Sequence, residues 1–363
     1  MKKFMKKING SHGSSNLLIV AEALILIAVI FLCFFGSVFH HNEKKSIVSK
    51  SSGKKASESK DTAKSEKSPV KETAFKDEKT EFDSDIEEKI AGLSDEEKAA
   101  CLFLVTPEDF TGNQTVEVAG KGTKDAIDKY PISGMLLSKS NLLGKGSTKG
   151  QLANLKSYGI SRNGENLFLF SQSGEGNEDI TDKSYMKDNG LNGLILPDDP
   201  DSIIKNDDPA SSIKNSITSY QSEGLMALLP YRTAGTGNES NDDSYKEAFK
   251  KATGEAWGFL TISSMDSLSK TGSSDLASIT AIRNDFSYKG LLASKFESDG
   301  SDKAGLASVN AINAGADLII INSGFKAAYD QVLSSIKDGT IDENRLHNAI
   351  GHIFSLKKTM AGN

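Results

Sequence analysis

The chain has 363 residues and a formal net charge of −6, with 43 basic and 49 acidic side chains. That balance gives no polyanion signal and excludes a nucleic-acid-binding protein of the basic-patch kind. The two cysteines, Cys33 and Cys101, support neither a disulfide framework nor a thiolate metal site. None of the five histidines lies between positions 42 and 346, which removes the commonest general base from most of the chain.

The first segment, residues 1–16, is basic through Lys2, Lys3, Lys6 and Lys7. Leu17 to Phe39 is an apolar run carrying a single charge, Glu22, and is long enough to cross a bilayer core. It ends in Gly36-Ser37-Val38-Phe39-His40, which is a poor cleavage site. Cys33, in Ile30-Phe31-Leu32-Cys33, lacks the small residues that lipoprotein processing favours. The run therefore reads as an uncleaved single-pass anchor, with a cleaved signal as the alternative. The basic start places the N-terminus in the cytoplasm. Lys44, Lys45 and Lys50 weaken that asymmetry, but an apolar segment ahead of a long soluble part usually exports that part. Residues 40–82 are rich in Lys, Ser, Glu and Thr and read as a disordered tether.

From Asp83 the pattern changes. Asp83–Ala100 has helical spacing, with a capping box at Ser94-Asp95-Glu96-Glu97. Short apolar runs then recur at a spacing of roughly 30 residues: Cys101–Val105, Gly134–Ser138, Asn166–Ser171, Gly193–Pro197, Leu225–Pro230, Gly258–Ser263, Gly290–Ser294 and Asp317–Ser323. Between them, helices are expected over Thr123–Tyr130, Thr148–Ser161, Asp201–Glu223, Asp243–Thr253, Ser274–Asp285, Asp302–Ala314 and Phe325–Asp338. A last helix is expected over Ile341–Met360. This order predicts an α/β fold, a (β/α)₈ TIM barrel over residues 83–363. A doubly wound open sheet is the alternative, but it calls for a Gly-rich turn after the first strand, and Thr106-Pro107-Glu108-Asp109-Phe110 is not one. Trp257 and Asp317 precede strands and belong to the stability face of such a barrel. Chemistry belongs at the opposite end.

Several stretches resemble the barrel domain of glycoside hydrolase family 3, in its β-N-acetylhexosaminidase branch. They are Ile86-Glu87-Glu88-Lys89-Ile90 through Leu102–Val105, then Ile132-Ser133-Gly134-Met135-Leu136-Leu137, then Ala311–Leu318, and finally Gly339–Leu346 through Leu356-Lys357-Lys358. The resemblance covers about Asp85 to Lys358. It implies ancestral chemistry on N-acetylglucosamine-containing wall glycans, which is hydrolysis of an O-glycosyl bond without cofactor or metal.

The family's functional motifs are altered here. Gln172 stands where the family has a sugar-gripping Asp after the third strand. Tyr231-Arg232-Thr233-Ala234-Gly235-Thr236-Gly237 replaces a Lys- and His-bearing motif after the fifth, and Asp243-Ser244-Tyr245 replaces an Asp-Ser-His, leaving Tyr245 near the acid/base position. Lys295 takes the place of the nucleophilic Asp after the seventh strand. A retaining glycosidase needs a carboxylate nucleophile and an acid/base group on opposite sides of the bond. An ammonium at the nucleophile position would oppose an oxocarbenium-like transition state. The expectation is a pseudoenzyme that is membrane-anchored, with an extracytoplasmic barrel that binds wall glycan or scaffolds a complex. Two alternatives stay open: an active glycosidase with relocated carboxylates such as Glu175 and Glu297, and a protein-interaction module. The candidate ligand pocket comprises Gln172, Glu175, Asp198, Tyr231, Arg232, Asp266, Lys295 and Glu297. A mouth plugged by Phe296, Tyr231 or Phe170 would favour the interaction module. The acidic loop around Asp198 and Asp199 has no metal-loop spacing, and no metal is expected.

Overall fold

The computed structural model describes residues 75–142, 148–174, 178–197, 208–231, 242–297 and 301–362. The expected span Leu17–Phe39, the basic start and most of the tether lie outside these residues. Among the described residues no helix is long and apolar enough to cross a membrane.

Eight parallel strands close into a barrel in chain order. They are β1 (Phe103–Val105), β2 (Gly134–Leu137), β3 (Phe168–Gln172), β4 (Gly193–Ile195), β5 (Met226–Tyr231), β6 (Gly258–Ser264), β7 (Leu291–Glu297) and β8 (Leu318–Ile321). The runs read from sequence fall on these strands because parallel barrel strands are buried on both faces and so appear as near-continuous apolar stretches. The leading segment splits into α1 (Ser84–Gly92) and α2 (Asp95–Cys101). The Ser94 hydroxyl accepts from Glu97 N–H, and the Glu97 carboxylate accepts from Ser94 N–H, which is the expected capping box.

The longer crossover helices are α3 (Lys121–Lys129), α4 (Thr148–Asn163), α5 (Lys183–Asn189), α6 (Pro209–Gln221), α7 (Asp242–Ala252), α8 (Ser274–Asn284), α9 (Ala304–Ala314) and α10 (Phe325–Lys337). Short helical turns at Pro107–Thr111, Lys139–Leu142, Glu178–Thr181 and Met265–Leu268 follow the ends of β1, β2, β3 and β6. The sequence reading did not contain them, nor α5, because pieces this short carry no full amphipathic period.

Register fixes which side chains face the barrel axis. The Phe103 ring packs edge-on against Phe325 of α10, 5.4 Å between centroids, so Phe103 faces the helical layer and Leu104 faces inward. Adjacent partners in a parallel sheet share a face. Following the pairing Leu104–Gly134, Leu136–Phe170, Phe170–Gly193, Ile195–Leu228, Pro230–Leu260, Gly258–Leu291, Lys295–Ile320 and Ile320–Leu104 carries one inward layer set all the way round. Glycine is required inside: a Cβ on Gly193 would lie 1.8 Å from the Phe170 ring, and one on Gly258 would lie 2.2 Å from Met226.

The last helix, α11 (Glu343–Gly362), packs on α1, α2 and β7. Near its start Arg345 reaches Asp317, just ahead of β8. Near its end the buried Lys357 lies over the Phe168 ring of β3, 5.3 Å from the centroid. The helix therefore crosses the N-terminal face of the barrel and closes its base.

A polar cluster fills that base. The Asp317 carboxylate is fully buried and accepts from Arg283, from Arg345 and from Leu292 N–H (2.9 Å). His352 Nδ1 is 3.1 Å from it. Burial alone would raise the Asp317 pKa, but Arg283, His352 and Arg345 outweigh that and hold it below the usual carboxylate range. The structural role expected of Asp317 has this physical basis.

Residues 75–82 depart from the sequence reading, which placed them in the tether. They form an extended strap along the base. Phe75 N–H donates to Asn313 O (2.8 Å), Asp77 pairs with Arg345, and Thr80 N–H donates to Asn348 Oδ1 (2.8 Å). The Phe82 ring sits against His347 and His352, 5.6 Å from each. Gly351 makes room for it, since a Cβ there would lie 2.1 Å from the ring. Two phenylalanines and one acid anchor a segment whose composition otherwise reads as disordered.

Candidate functional site at the barrel mouth

The C-terminal strand ends define the mouth. By register the inward-facing described strand positions nearest this end are Gln172 on β3, Ile195 on β4, Pro230 on β5, Ile262 and Ser264 on β6, Lys295 and Glu297 on β7 and Ile320 on β8. Lys295 is partly exposed and lies in the sheet between Ile262 and Ile320. Gln172 is also partly exposed, ends β3, and pairs with Ile195. The Ser264 hydroxyl is used as a helix cap, accepting from Ser267 N–H at 3.0 Å. Among the described residues the inner wall at the mouth thus carries an ammonium, a carboxamide, the Ser264 hydroxyl and the Glu297 position among apolar side chains. Such a set can donate hydrogen bonds to hydroxyl, amide or acid oxygens.

The described carboxylates at this end hold loops in place. Glu108 accepts from Asn141 Nδ2 (2.7 Å) and Val116 N–H (3.2 Å), joining the segments after β1 and β2. Asp109 accepts from Gly324 N–H (3.1 Å) and Phe325 N–H (2.8 Å), capping α10. Asp182 caps α5 through Tyr185 N–H at 2.9 Å. By register Glu297, paired with Ser264 and two residues past Lys295, is the one carboxylate position among the described strand ends that falls on the inward face. The sequence reading missed Glu108, Asp109 and Asn141. An acidic pair in the first turn after a proline was their only local sign.

The candidate residues divide accordingly. Gln172 and Lys295 share the inward face. Tyr231 does not join them. The strand β5 includes it, and its ring packs against Phe249 of α7 (5.0 Å) and against Phe286 (5.4 Å) in the helical layer. The expected strand ended one residue earlier, and a single step along a strand reverses the face. Phe296 likewise faces the helical layer and is fully buried, so neither residue plugs the mouth. Phe170 does face inward, packed over Gly193 one layer deeper than Gln172.

Asp266 lies in the short turn after β6, bound by Lys270 and Lys303. Their hydrogen bonds bring its pKa down to about 2, so it serves as an ion-pair hub and not as a proton donor. Glu297 ends β7, its backbone paired with Ser264, and Tyr245 lies in the first turn of α7. Glu175, Asp198 and Arg232 lie outside the described residues. The two described histidines, His347 and His352, are both at the base. Among the described residues no cluster of His, Cys, Asp and Glu has the makings of a metal site.

The sequence matches no family profile, and no curated protein matches it. Solved structures do match the fold. A glycoside hydrolase family 3 β-N-acetylglucosaminidase from Paenibacillus sp. superposes with a TM-score of 0.57 at 16% identity, over 74% of this chain and 63% of that one. A family 3 glycosyl hydrolase from Mycobacterium smegmatis gives 0.54 at 14% identity, over 74% of this chain and 98% of that one. A β-N-acetylhexosaminidase from Beutenbergia cavernae gives 0.52 at 14% identity, over 74% and 99%. The barrel therefore has the fold of family 3 β-N-acetylhexosaminidases, and this chain spans less than two thirds of the Paenibacillus enzyme.

Proposed function

We propose that this protein is a membrane-anchored, non-hydrolytic barrel of the family 3 type that binds N-acetylglucosamine-containing wall glycan or scaffolds a complex on it. The observation that carries the reading is Lys295: an ammonium occupies the inward face at the end of β7, where the resemblance calls for a carboxylate nucleophile. The engagement of Glu108, Asp109 and Asp266, among the described carboxylates near the mouth, supports it, since each of these three already has partners. The apolar run Leu17–Phe39 supports the anchor, and the fold's neighbours support the glycan class. Gln172 and Lys295 would hold hydroxyl or acetamido oxygens, while the apolar wall would face sugar carbons.

The test is titration of the purified protein with N-acetylglucosamine oligomers and soluble wall fragments, followed by calorimetry. Saturable binding that weakens about tenfold or more in Lys295→Ala and Gln172→Ala, with unchanged melting temperature, is the expected result. Absence of binding to every glycan would remove the glycan role and leave the interaction module. The competing hydrolytic reading has one candidate on β7 itself, Glu297, two residues past Lys295.

A further inference from the structure

Just past the strand ends, the inward face of the mouth continues from β8 and β1. Thr106 N–H donates to Ile321 O (3.3 Å), which carries the β8–β1 ladder one residue beyond both strands and sets Asn322 opposite Thr106. The bond from Ile319 N–H to Leu102 O does the same for the pair Phe103–Ile319. Alternation along the strands then puts Asn322 and Thr106 on the inward face of Ile320 and Leu104. The backbone is fixed on both sides of Asn322. The ladder holds it before, and Asp109 holds the turn after, accepting from Gly324 N–H (3.1 Å) and Phe325 N–H (2.8 Å). Asn322 is exposed, and its carboxamide has no hydrogen-bond partner among the described residues. Lys295 is on the adjacent strand, paired with Ile320, and is therefore the diagonal neighbour of Asn322.

These two side chains complement each other. An ammonium only donates hydrogen bonds, whereas a carboxamide both donates and accepts. An acetamido group carries one N–H and one carbonyl, which point opposite ways in its trans form, so it needs one partner of each kind. Two such partners stand about 7–8 Å apart. Diagonal neighbours on adjacent strands are about 8 Å apart, the diagonal of one strand spacing and two residues of rise. Thr106 is one strand further from Lys295, and Gln172 is four strands away, across the barrel. We propose that Asn322 reads the acetamido group of the glycan: its Oδ1 accepts the acetamido N–H while Lys295 donates to the carbonyl oxygen. The inference rests on the glycan reading above and names the residue that sets its preference for N-acetylated sugars. Two other positions compete for the acceptor role. Thr106 is extended, and its hydroxyl makes no cap bond to the turn that follows. Glu297, two residues past Lys295, falls beside Asn322 by the same register.

The experiment is calorimetric titration of the full-length protein with the trimer of N-acetylglucosamine and, separately, the trimer of glucose, which lacks the acetamido group. Wild type should prefer the N-acetylated trimer. In Asn322→Ala that preference should fall about five- to tenfold, the size of one lost hydrogen bond, with the melting temperature unchanged because the residue is exposed. Asn322→Asp keeps an acceptor without the donor and should retain the preference. It decides the matter if Asn322→Ala proves unstable. Thr106→Val and Glu297→Gln should both keep the wild-type ratio. Equal wild-type affinity for the two trimers overturns the inference. So does a preference that survives in Asn322→Ala, that is lost in Asn322→Asp, or that collapses in Thr106→Val or Glu297→Gln instead. Each of these results leaves the glycan reading in place. Failure of wild type to bind either trimer, or any wall fragment, removes that reading and this inference with it.

Discussion

Replacing Asp317 by alanine is expected to cost the domain roughly 3–5 kcal/mol of unfolding free energy. The substitution leaves Arg283 and Arg345 facing each other in a base where their side chains are 3% and 2% exposed. It also deprives Leu292 N–H of its acceptor. Burial disfavours both guanidinium charges, and the attraction to Asp317 is what offsets that penalty. Asp317→Asn keeps the shape and one acceptor but not the charge, and its loss should be smaller. The sign of the pH dependence follows from the depressed pKa. A carboxylate lowered in the folded state contributes stability above its ordinary range near 4, and that stability is lost as pH falls through the lower folded value. The gap between wild type and Asp317→Ala should therefore narrow as pH falls below about 4 in urea titrations. A loss below about 1 kcal/mol would mean that the base can hydrate and that the cluster is not a structural centre.

A chain starting at residue 83 should be less stable than one starting at residue 75 by roughly 4 kcal/mol. The shorter chain lacks Asp77, so the buried Arg345 keeps one of its two carboxylates. It lacks Phe82 as well, which empties the space above Gly351. It also leaves Asn348 without Thr80 N–H and Glu78 O. Parallel thermal melts of the two chains give the answer. Equal melting temperatures would show that the strap is a passenger and that the barrel begins where the tether was first drawn to end.

The eight strands were legible because each is buried on both faces, and apolar runs at regular spacing survive any uncertainty about ends. The capping box at Ser94 was legible because its two partners lie three residues apart in the chain. The strap was not. Its contacts are backbone hydrogen bonds to Asn313 and Asn348 and a ring seated over a glycine more than 200 residues away, and none of these leaves a local pattern. At the mouth, Lys295 was singled out by the resemblance alone, and β7 runs three residues past the expected end at Ser294 to include it. The face of Tyr231 was not legible, because orientation depends on whether the strand runs one residue further. The third crossover, through Glu178–Thr181 and α5, was invisible for a related reason, being two pieces too short to show a helical period.

The central claim, a family 3 type barrel without family 3 catalysis, is tested most directly by hydrolysis of an activated aryl β-N-acetylglucosaminide. The assay uses wild type, Lys295→Asp, Lys295→Ala and Glu297→Ala. No turnover above the uncatalysed rate is expected in any of the four. Lys295→Asp restores a carboxylate on β7 but supplies no acid/base partner, and catalytic groups that act as a unit are strongly non-additive. Turnover in wild type that disappears in Lys295→Ala or Glu297→Ala would contradict the account and place an active glycosidase at the end of β7.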